Sequence, residues 1–302
     1  MFEVLGFYKF IEIKSSKKNK ILLQNFLIKN NIRGSIIIAN EGLNGAISGK
    51  TKDIKSFIGK LKKLFHFKKF DNSNNSKSKF QPFYKAKVKI KKEVVPMNLT
   101  INSKERNMDT HLNPREWNVL IKNKDTHVID TRKPFEFKVG TFKKSVNPVV
   151  NNFRDFPKYL NKLKKNNPVA MFCTGGIRCE KTSIYLKKKG FKNVYQLNGG
   201  ILNYLKKIKE KESLWKGECF VFDNRISLKH GLQAGSHSIC SGCRKPISLK
   251  DMKSKKYEEG VSCPNCHDNL TDIQKERFRM RQKQINVAKK SGSKHIFQKE
   301  FK

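Results

Sequence analysis

Apolar positions along the chain change rhythm twice. Glu3 to Ile13 is a strand-like apolar run, and Ile21 to Ile28 recurs at helical spacing after a Lys-rich turn. Ser35 to Ala39 predicts a buried strand, broken by Glu41-Gly-Leu-Asn-Gly45 before a short strand Ala46-Ile-Ser48. Ile54, Phe57, Ile58, Leu61 and Leu64 return at helix period. Tyr84 to Ile90 alternates Lys outward with Ala86, Val88 and Ile90 inward, the period of a half-buried strand. The order βαββαβ predicts a ferredoxin-like or acylphosphatase-like α+β domain over residues 1–96. The Asn- and Ser-rich stretch Asp71 to Ser78 reads as a loop.

Residues 97–113 are polar and read as a linker. From 114 to 212 short strands alternate with helices, which predicts a parallel-sheet α/β domain. Thr126 to Asp130 is a strand and Phe153 to Leu163 a helix. Val169-Ala-Met-Phe172 is wholly apolar, as expected at the centre of a parallel sheet. Glu180 to Lys189 is a helix ended by Gly190, Val194 to Leu197 a strand, and Gly199-Gly200 precedes a helix from Ile201 to Lys209. Over residues 213–302 the pattern turns to Cys, Gly and turn residues, then to a basic helix.

The most reactive pattern sits at the end of that apolar strand. Cys173-Thr-Gly-Gly-Ile-Arg178 forms a loop before a helix starting near Cys179. Gly175 and Gly176 let N–H groups of the loop converge on one point, and the helix adds its positive end. Arg178 adds a full charge. All three favour thiolate over thiol, which makes Cys173 a candidate nucleophile rather than a core cysteine. Cys179 either resolves an oxidised or persulfidated Cys173 or simply packs the helix, and the residues leave both open. Asp130 and Arg132, at another strand end, read as a salt bridge supporting the loop. Cys219 has no partner spacing and reads as core.

Cys240-Ser-Gly-Cys243 and Cys263-Pro-Asn-Cys266 lie nineteen residues apart, the spacing of a zinc-ribbon site closed by four thiolates. Such a metal is structural. His237 and His267 flank the pairs and read as exposed.

Composition changes the picture in two ways. A net charge of +41 points to a polyanionic partner, although 55 of the 66 basic residues are Lys, a bias that codon drift alone produces. Arg is scarce, so Arg277, Arg279 and Arg281, with Lys283 beside them on one helix, are candidates for RNA-backbone contact; a solvated helical face is the alternative. No apolar run approaches membrane-spanning length and the first residues lack a signal peptide, so a cytoplasmic protein is expected. There is no Rossmann glycine fingerprint or P-loop, and no nucleotide cofactor is indicated.

Phe172-Cys-Thr-Gly-Gly-Ile-Arg-Cys-Glu-Lys-Thr182 resembles the active loop of the rhodanese-domain tRNA uridine(34) hydroxylase family. Asn40-Glu-Gly-Leu-Asn-Gly45, Asp130-Thr-Arg132, Phe135-Glu136, Gly140-Thr-Phe142, Asn147-Pro148, Phe153-Arg-Asp-Phe156 and Gln196-Leu-Asn-Gly-Gly200 resemble further family segments. Lys133-Pro134 departs from it, where the family usually has Asn and an acidic residue. The resemblance implies a tRNA partner and oxygen-dependent hydroxylation of the wobble uridine at C5, with molecular oxygen as co-substrate and Cys173 reactive. The residues alone stop at an activated thiolate, for which a persulfide-carrying sulfurtransferase is the competing chemistry. A third possibility, a non-enzymatic RNA-binding protein, is disfavoured by the intact loop.

Overall fold

The apolar run at the start of the chain becomes an interior strand of a sheet that is buried on both faces. In the computed structural model, which describes residues 1–292 apart from the side chain at 103, strands β1 (Phe2–Phe10), β2 (Arg33–Ala39), β3 (Gly42–Gly49), β4 (Asn72–Ser78) and β5 (Ala86–Ile90) form one sheet in the order β4-β1-β3-β2-β5. Helices α1 (Ser16–Lys29) and α2 (Thr51–Leu64) cover one face, joined by the Phe26–Phe57 ring contact. Leu23, Leu27, Ile54, Phe57 and Leu61, all 0% exposed, are their inward stripes. The alternate residues of β1, Tyr8 and Phe10, pack with Ala39, Val94, Ile101 and Ile184 on the opposite face.

Two expectations fail in this half. The Asn- and Ser-rich stretch read as a loop is the edge strand β4, paired antiparallel with β1 from Phe2↔Ser78 to Tyr8↔Asn72. A ladder is made by main-chain groups, so a run with poor strand propensity still pairs where a neighbour offers an open edge. The break expected over 41–45 is also shorter, because β3 already begins at Gly42.

The second sheet is parallel, in the order β6-β10-β9-β7, from β6 (His111–Leu112), β7 (His127–Asp130), β9 (Val169–Phe172) and β10 (Val194–Leu197). Around it lie α3 (Pro114–Lys122), α4 (Pro134–Val139), α5 (Phe156–Leu160), α6 (Ile177–Lys188) and α7 (Gly200–Lys207), with β8 (Gly140–Phe142) paired to β11 (Trp215–Gly217). The helix expected over 153–163 is a 3-10 turn, Phe153–Asp155, followed by α5 with Pro157 in its first turn. The residues read as a linker are packed into the fold. Met97, Ile101 and Thr110 are buried, and His111–Leu112 adds a strand to the sheet. The few apolar anchors there were hidden among polar neighbours.

An aromatic cluster fixes the end of β9. Phe172 meets Phe142 edge-on at 4.9 Å and Trp117 at 5.9 Å, while Phe142 also meets Tyr204 at 4.7 Å and Trp215 at 5.1 Å. Residues Met1–Cys219 with Lys229–Gln233 form one compact unit, and Phe220–Leu228 with Ala234 onward form the other. In the second unit a hairpin, Ser238–Ile239 with Pro246–Ile247, is followed by α8 (Leu249–Met252) and α9 (Asp272–Lys290). Among the described residues no helix is long and apolar enough to cross a membrane.

Candidate active site and metal centre

Cys173 stands at the carboxyl end of β9, where the strand hands over to α6. The helix begins at Ile177 rather than near Cys179, because Gly176 at φ +97° turns the chain directly into it. That shortens the loop and brings two main-chain N–H groups onto the sulfur. Gly176 N donates to Cys173 Sγ at 3.1 Å, and the Arg178 N–H also points at it. The loop carbonyls are tied elsewhere. Cys173 O accepts from Ile201 N at 3.0 Å and Thr174 O from Leu202 N at 3.1 Å, both in the first turn of α7. This close approach requires glycine at 200: a Cβ there, at φ +67°, would lie 2.5 Å from Cys173 O.

Burial, with the residue 1% exposed, opposes ionisation of Cys173. The hydrogen bond from the Cys179 thiol, the Arg178 charge and the N–H groups of Arg178 and Gly176 outweigh it and hold its pKa down to about 5. Cys179 is driven the other way, first by its own burial and then by donating to the neighbouring sulfur. Cys179 is fully buried, 3.6 Å from the Thr131 hydroxyl. Thr174 Oγ1, on the residue that follows Cys173, is buried without a hydrogen-bond partner among the described residues.

Arg178 is not a free cation. Its guanidinium forks onto Glu136 at 2.9 and 3.0 Å, and Glu136 is 0% exposed. Burial opposes ionisation of that carboxyl, yet Arg178 keeps it below the usual carboxylate range. Asp130 and Arg132 do form an ion pair, at 2.6 Å and fully buried. Its outward bonds run to Gly140 O and Thr141 rather than to the Cys173 loop. The residue between them does support the strand end: both the N–H and the hydroxyl of Thr131 donate to Phe172 O, at 3.0 Å. Cys219 is buried, and burial pushes its thiol up to about 12.

Sequence reasoning missed the wall that faces this loop. Asn72 and Asn74, on the inward face of β4, donate to Gly175 O at 2.8 Å and Gly199 O at 3.1 Å. Tyr8 donates to Glu180 at 3.0 Å, and Arg106 bridges Asp71 and Glu180 at 2.7 and 2.6 Å. His111 lies 3.1 Å from the same carboxylate. Lys181 pairs with Glu41 and Glu93. A charged pair, Glu180-Lys181, at the start of the helix after the cysteine was the available signal, since such residues are buried only when paired.

In the other unit Cys240, Cys243, Cys263 and Cys266 place their sulfurs within 4.8 Å of one another. Cys240–Cys266, Cys243–Cys263 and Cys263–Cys266 are 3.9, 3.8 and 3.8 Å apart. That is far too long for disulfides, and it matches the edge of about 3.8 Å of a tetrahedron built on zinc–sulfur bonds. The four are able to hold a metal ion. His267 is turned to Asp268, at 3.0 Å, and neither it nor His237 joins the cluster. Of the four basic candidates on α9, Arg279 forks onto Glu258 at 2.7 and 2.8 Å, and Arg281 donates to the carbonyls of Ser241 and Gly260 over the Phe278 ring. These two hold the helix to the segment 258–260 that leads into Cys263 and, through Ser241, to the first cysteine turn. Arg277 and Lys283 are exposed and form no ion pair among the described residues.

Residues 2–94 match the UPF0176 acylphosphatase like domain, and residues 113–207 match the Rhodanese-like domain. The chain is 74% identical over 302 residues to the tRNA uridine(34) hydroxylase of Pelagibacter ubique (strain HTCC1062), covering 100% of both chains. It is 43% identical over 299 residues to the tRNA uridine(34) hydroxylase of Teredinibacter turnerae (strain ATCC 39867 / T7901), covering 97% of this chain and 92% of that one. Among solved structures, a rhodanese-like domain protein from Staphylococcus aureus aligns with 24% identity and a TM-score of 0.28 over 32% of this chain and 90% of that one.

Proposed function

The chain belongs to the tRNA uridine(34) hydroxylase family, and from that premise we propose that it converts the wobble uridine of tRNA to 5-hydroxyuridine, with molecular oxygen as co-substrate and Cys173 as the reacting group. The observation that supports the role of Cys173 most directly is the Gly176 N–H on its sulfur, with the surrounding loop carbonyls tied away from it. A thiolate held by fixed dipoles at neutral pH is a nucleophile that needs no separate base.

Cys173 Sγ adds to C6 of the uracil ring, which places the electron pair of the C5–C6 bond at C5 as an enolate. C5 attacks an oxygen atom of dioxygen reduced to the peroxide level; the O–O bond breaks and water leaves. C5 then loses its proton, the C6–S bond breaks, and the thiolate is restored. One dioxygen, two electrons from an external reductant and two protons are consumed for each hydroxyl and water formed. The Thr174 hydroxyl, buried and unpartnered among the described residues, and the loop N–H groups serve the enolate oxygen. The sulfur is nearly inaccessible, so the wobble base enters flipped out and displaces what covers it.

The remaining assignments belong to the same reading. Residues 1–96 act as the acylphosphatase-like part, 114–212 as the catalytic part, completed by 213–219 through β11, and the unit that carries the four cysteines as the tRNA-facing part, with 97–113 joining the first two. The four cysteines hold a structural zinc ion, and Arg277 and Lys283 contact tRNA phosphates in the cytoplasm. Mass spectrometry of tRNA nucleosides from a deletion strain provides the test. 5-Hydroxyuridine is lost, wild-type protein restores it and Cys173→Ala does not. Full hydroxylation by Cys173→Ala refutes the role given to the cysteine. Unchanged 5-hydroxyuridine in the deletion strain favours the sulfurtransferase chemistry instead.

A further inference from the structure

The peptide unit that binds the reactive sulfur has an outer end, and the acylphosphatase-like half of the chain holds it. In a trans peptide the carbonyl and the N–H point in opposite directions. The unit joining Gly175 to Gly176 gives its N–H to Cys173 Sγ at 3.1 Å, and its carbonyl accepts from Asn72 Nδ2 at 2.8 Å. The other carbonyls of the loop are held by main-chain N–H groups, those of Cys173 and Thr174 by α7 and that of Gly176 by Glu180 in α6. The carbonyl of Gly175 depends instead on a side chain 103 positions away in sequence.

The strand register explains why it is Asn72. Alternate residues of β4 face opposite sides, so Asn72 and Asn74 turn to the loop together while Asn75 turns outward to Glu3. An amide that donates to a carbonyl also polarises the peptide, so the N–H at its far end becomes a stronger donor.

We propose that Asn72 is a positioning residue for the reactive sulfur, orienting and polarising the Gly175–Gly176 peptide whose N–H binds Cys173. The proposal rests on the reading of Cys173 as the reacting group. It gives the N-terminal domain a part in the chemistry, as a wall that sets the state of the thiolate.

The test is a pH titration of the full chain labelled with [3-13C]cysteine, because the Cβ shift reports ionisation without a reagent having to reach the sulfur. The Cys173 signal is assigned by its loss in Cys173→Ser. Asn72→Ala frees the peptide to turn away and is expected to move the titration midpoint up, by at most about one unit, the worth of the Gly176 N–H bond to sulfur. Asn72→Asp, isosteric but with a negative acceptor in place of the donor, moves it further. Asn75→Ala, on the opposite face of the same edge strand, leaves it in place. Midpoints unchanged in both Asn72 variants overturn the proposal, and so does an equal shift in Asn75→Ala, which would mark a general effect of the edge strand. A lower melting temperature with an unmoved midpoint also overturns it, by reducing Asn72 to a packing role. Hydroxylation retained by Cys173→Ala defeats the catalytic reading instead, and leaves the titration result standing.

Discussion

Removing the ammonium of Lys181 should unfold the larger unit more readily than any surface change of the same size. Lys181 lies on α6, fully buried, and its three protons meet three acceptors: Glu41 at 2.6 Å, Glu93 at 2.8 Å and Leu99 O at 2.8 Å. Glu41 is equally buried and also accepts from the N–H groups of Val94 and Ile101. Lys181→Met keeps most of the stem volume and leaves the Glu41 carboxylate in the interior without a counter-ion. Glu93 is more exposed and keeps the N–H groups of Met97 and Asn98, so it loses less.

Breaking a buried pair from one side costs about 3–5 kcal/mol. For a unit of this size that corresponds to a melting temperature lower by roughly 6–20 °C. Adding Glu41→Gln removes the stranded charge while one oxygen still accepts, so the double variant recovers part of the loss. The expected coupling is about 0.5–3 kcal/mol. Urea unfolding followed by tryptophan fluorescence reads this directly, because the chain has two tryptophans, Trp117 and Trp215, and both lie in this unit. A Lys181→Met variant within about 0.5 kcal/mol of wild type would refute the reasoning, because changes of that size belong to exposed sites.

Glu180 supplies a pH test. Burial raises its pKa, but His111 and Arg106 outweigh that and bring it from 4.5 down to about 2. Its stabilising contribution is complete above pH 4.5 and is lost as pH falls toward 2. Glu180→Gln should therefore flatten the stability profile across that window in urea titrations at stepped pH, and an unchanged slope counts against the buried network. On the proposed zinc site, a chelator should abolish hydrogen-exchange protection around the four cysteines and leave residues 1–219 protected. A metal-free protein with its second unit still protected removes the structural zinc.

The legible parts of the chain were those whose partners lie close in sequence or whose side chains alone determine the outcome. Val169–Phe172 is a strand residue for residue, because four consecutive apolar side chains fit the middle of a parallel sheet. The four cysteines converge because two turns already aim each pair. The features that favour a thiolate at Cys173 were readable, since glycines, helix start and cysteine are contiguous. The charge balance of the loop was not, because Glu136, which takes up Arg178, is 42 positions away. Arginine scarcity pointed to α9 as an RNA contact, but Arg279 and Arg281 are taken up by Glu258 and by the carbonyl of Ser241.

The polar stretch 71–78 was misread for a reason that bears on function. Its asparagines are poor strand formers, so they signal a loop, yet main-chain pairing with β1 makes them a strand. A conventional edge strand of alternating apolar residues would bury one row against the neighbouring half and leave Gly175 O and Gly199 O facing hydrocarbon. Buried carbonyls without donors are costly. The same asparagines that weaken the strand signal are the donors those two carbonyls require. The misleading composition is thus a consequence of a strand placed against the Cys173 loop, where amide side chains are worth more than strand propensity.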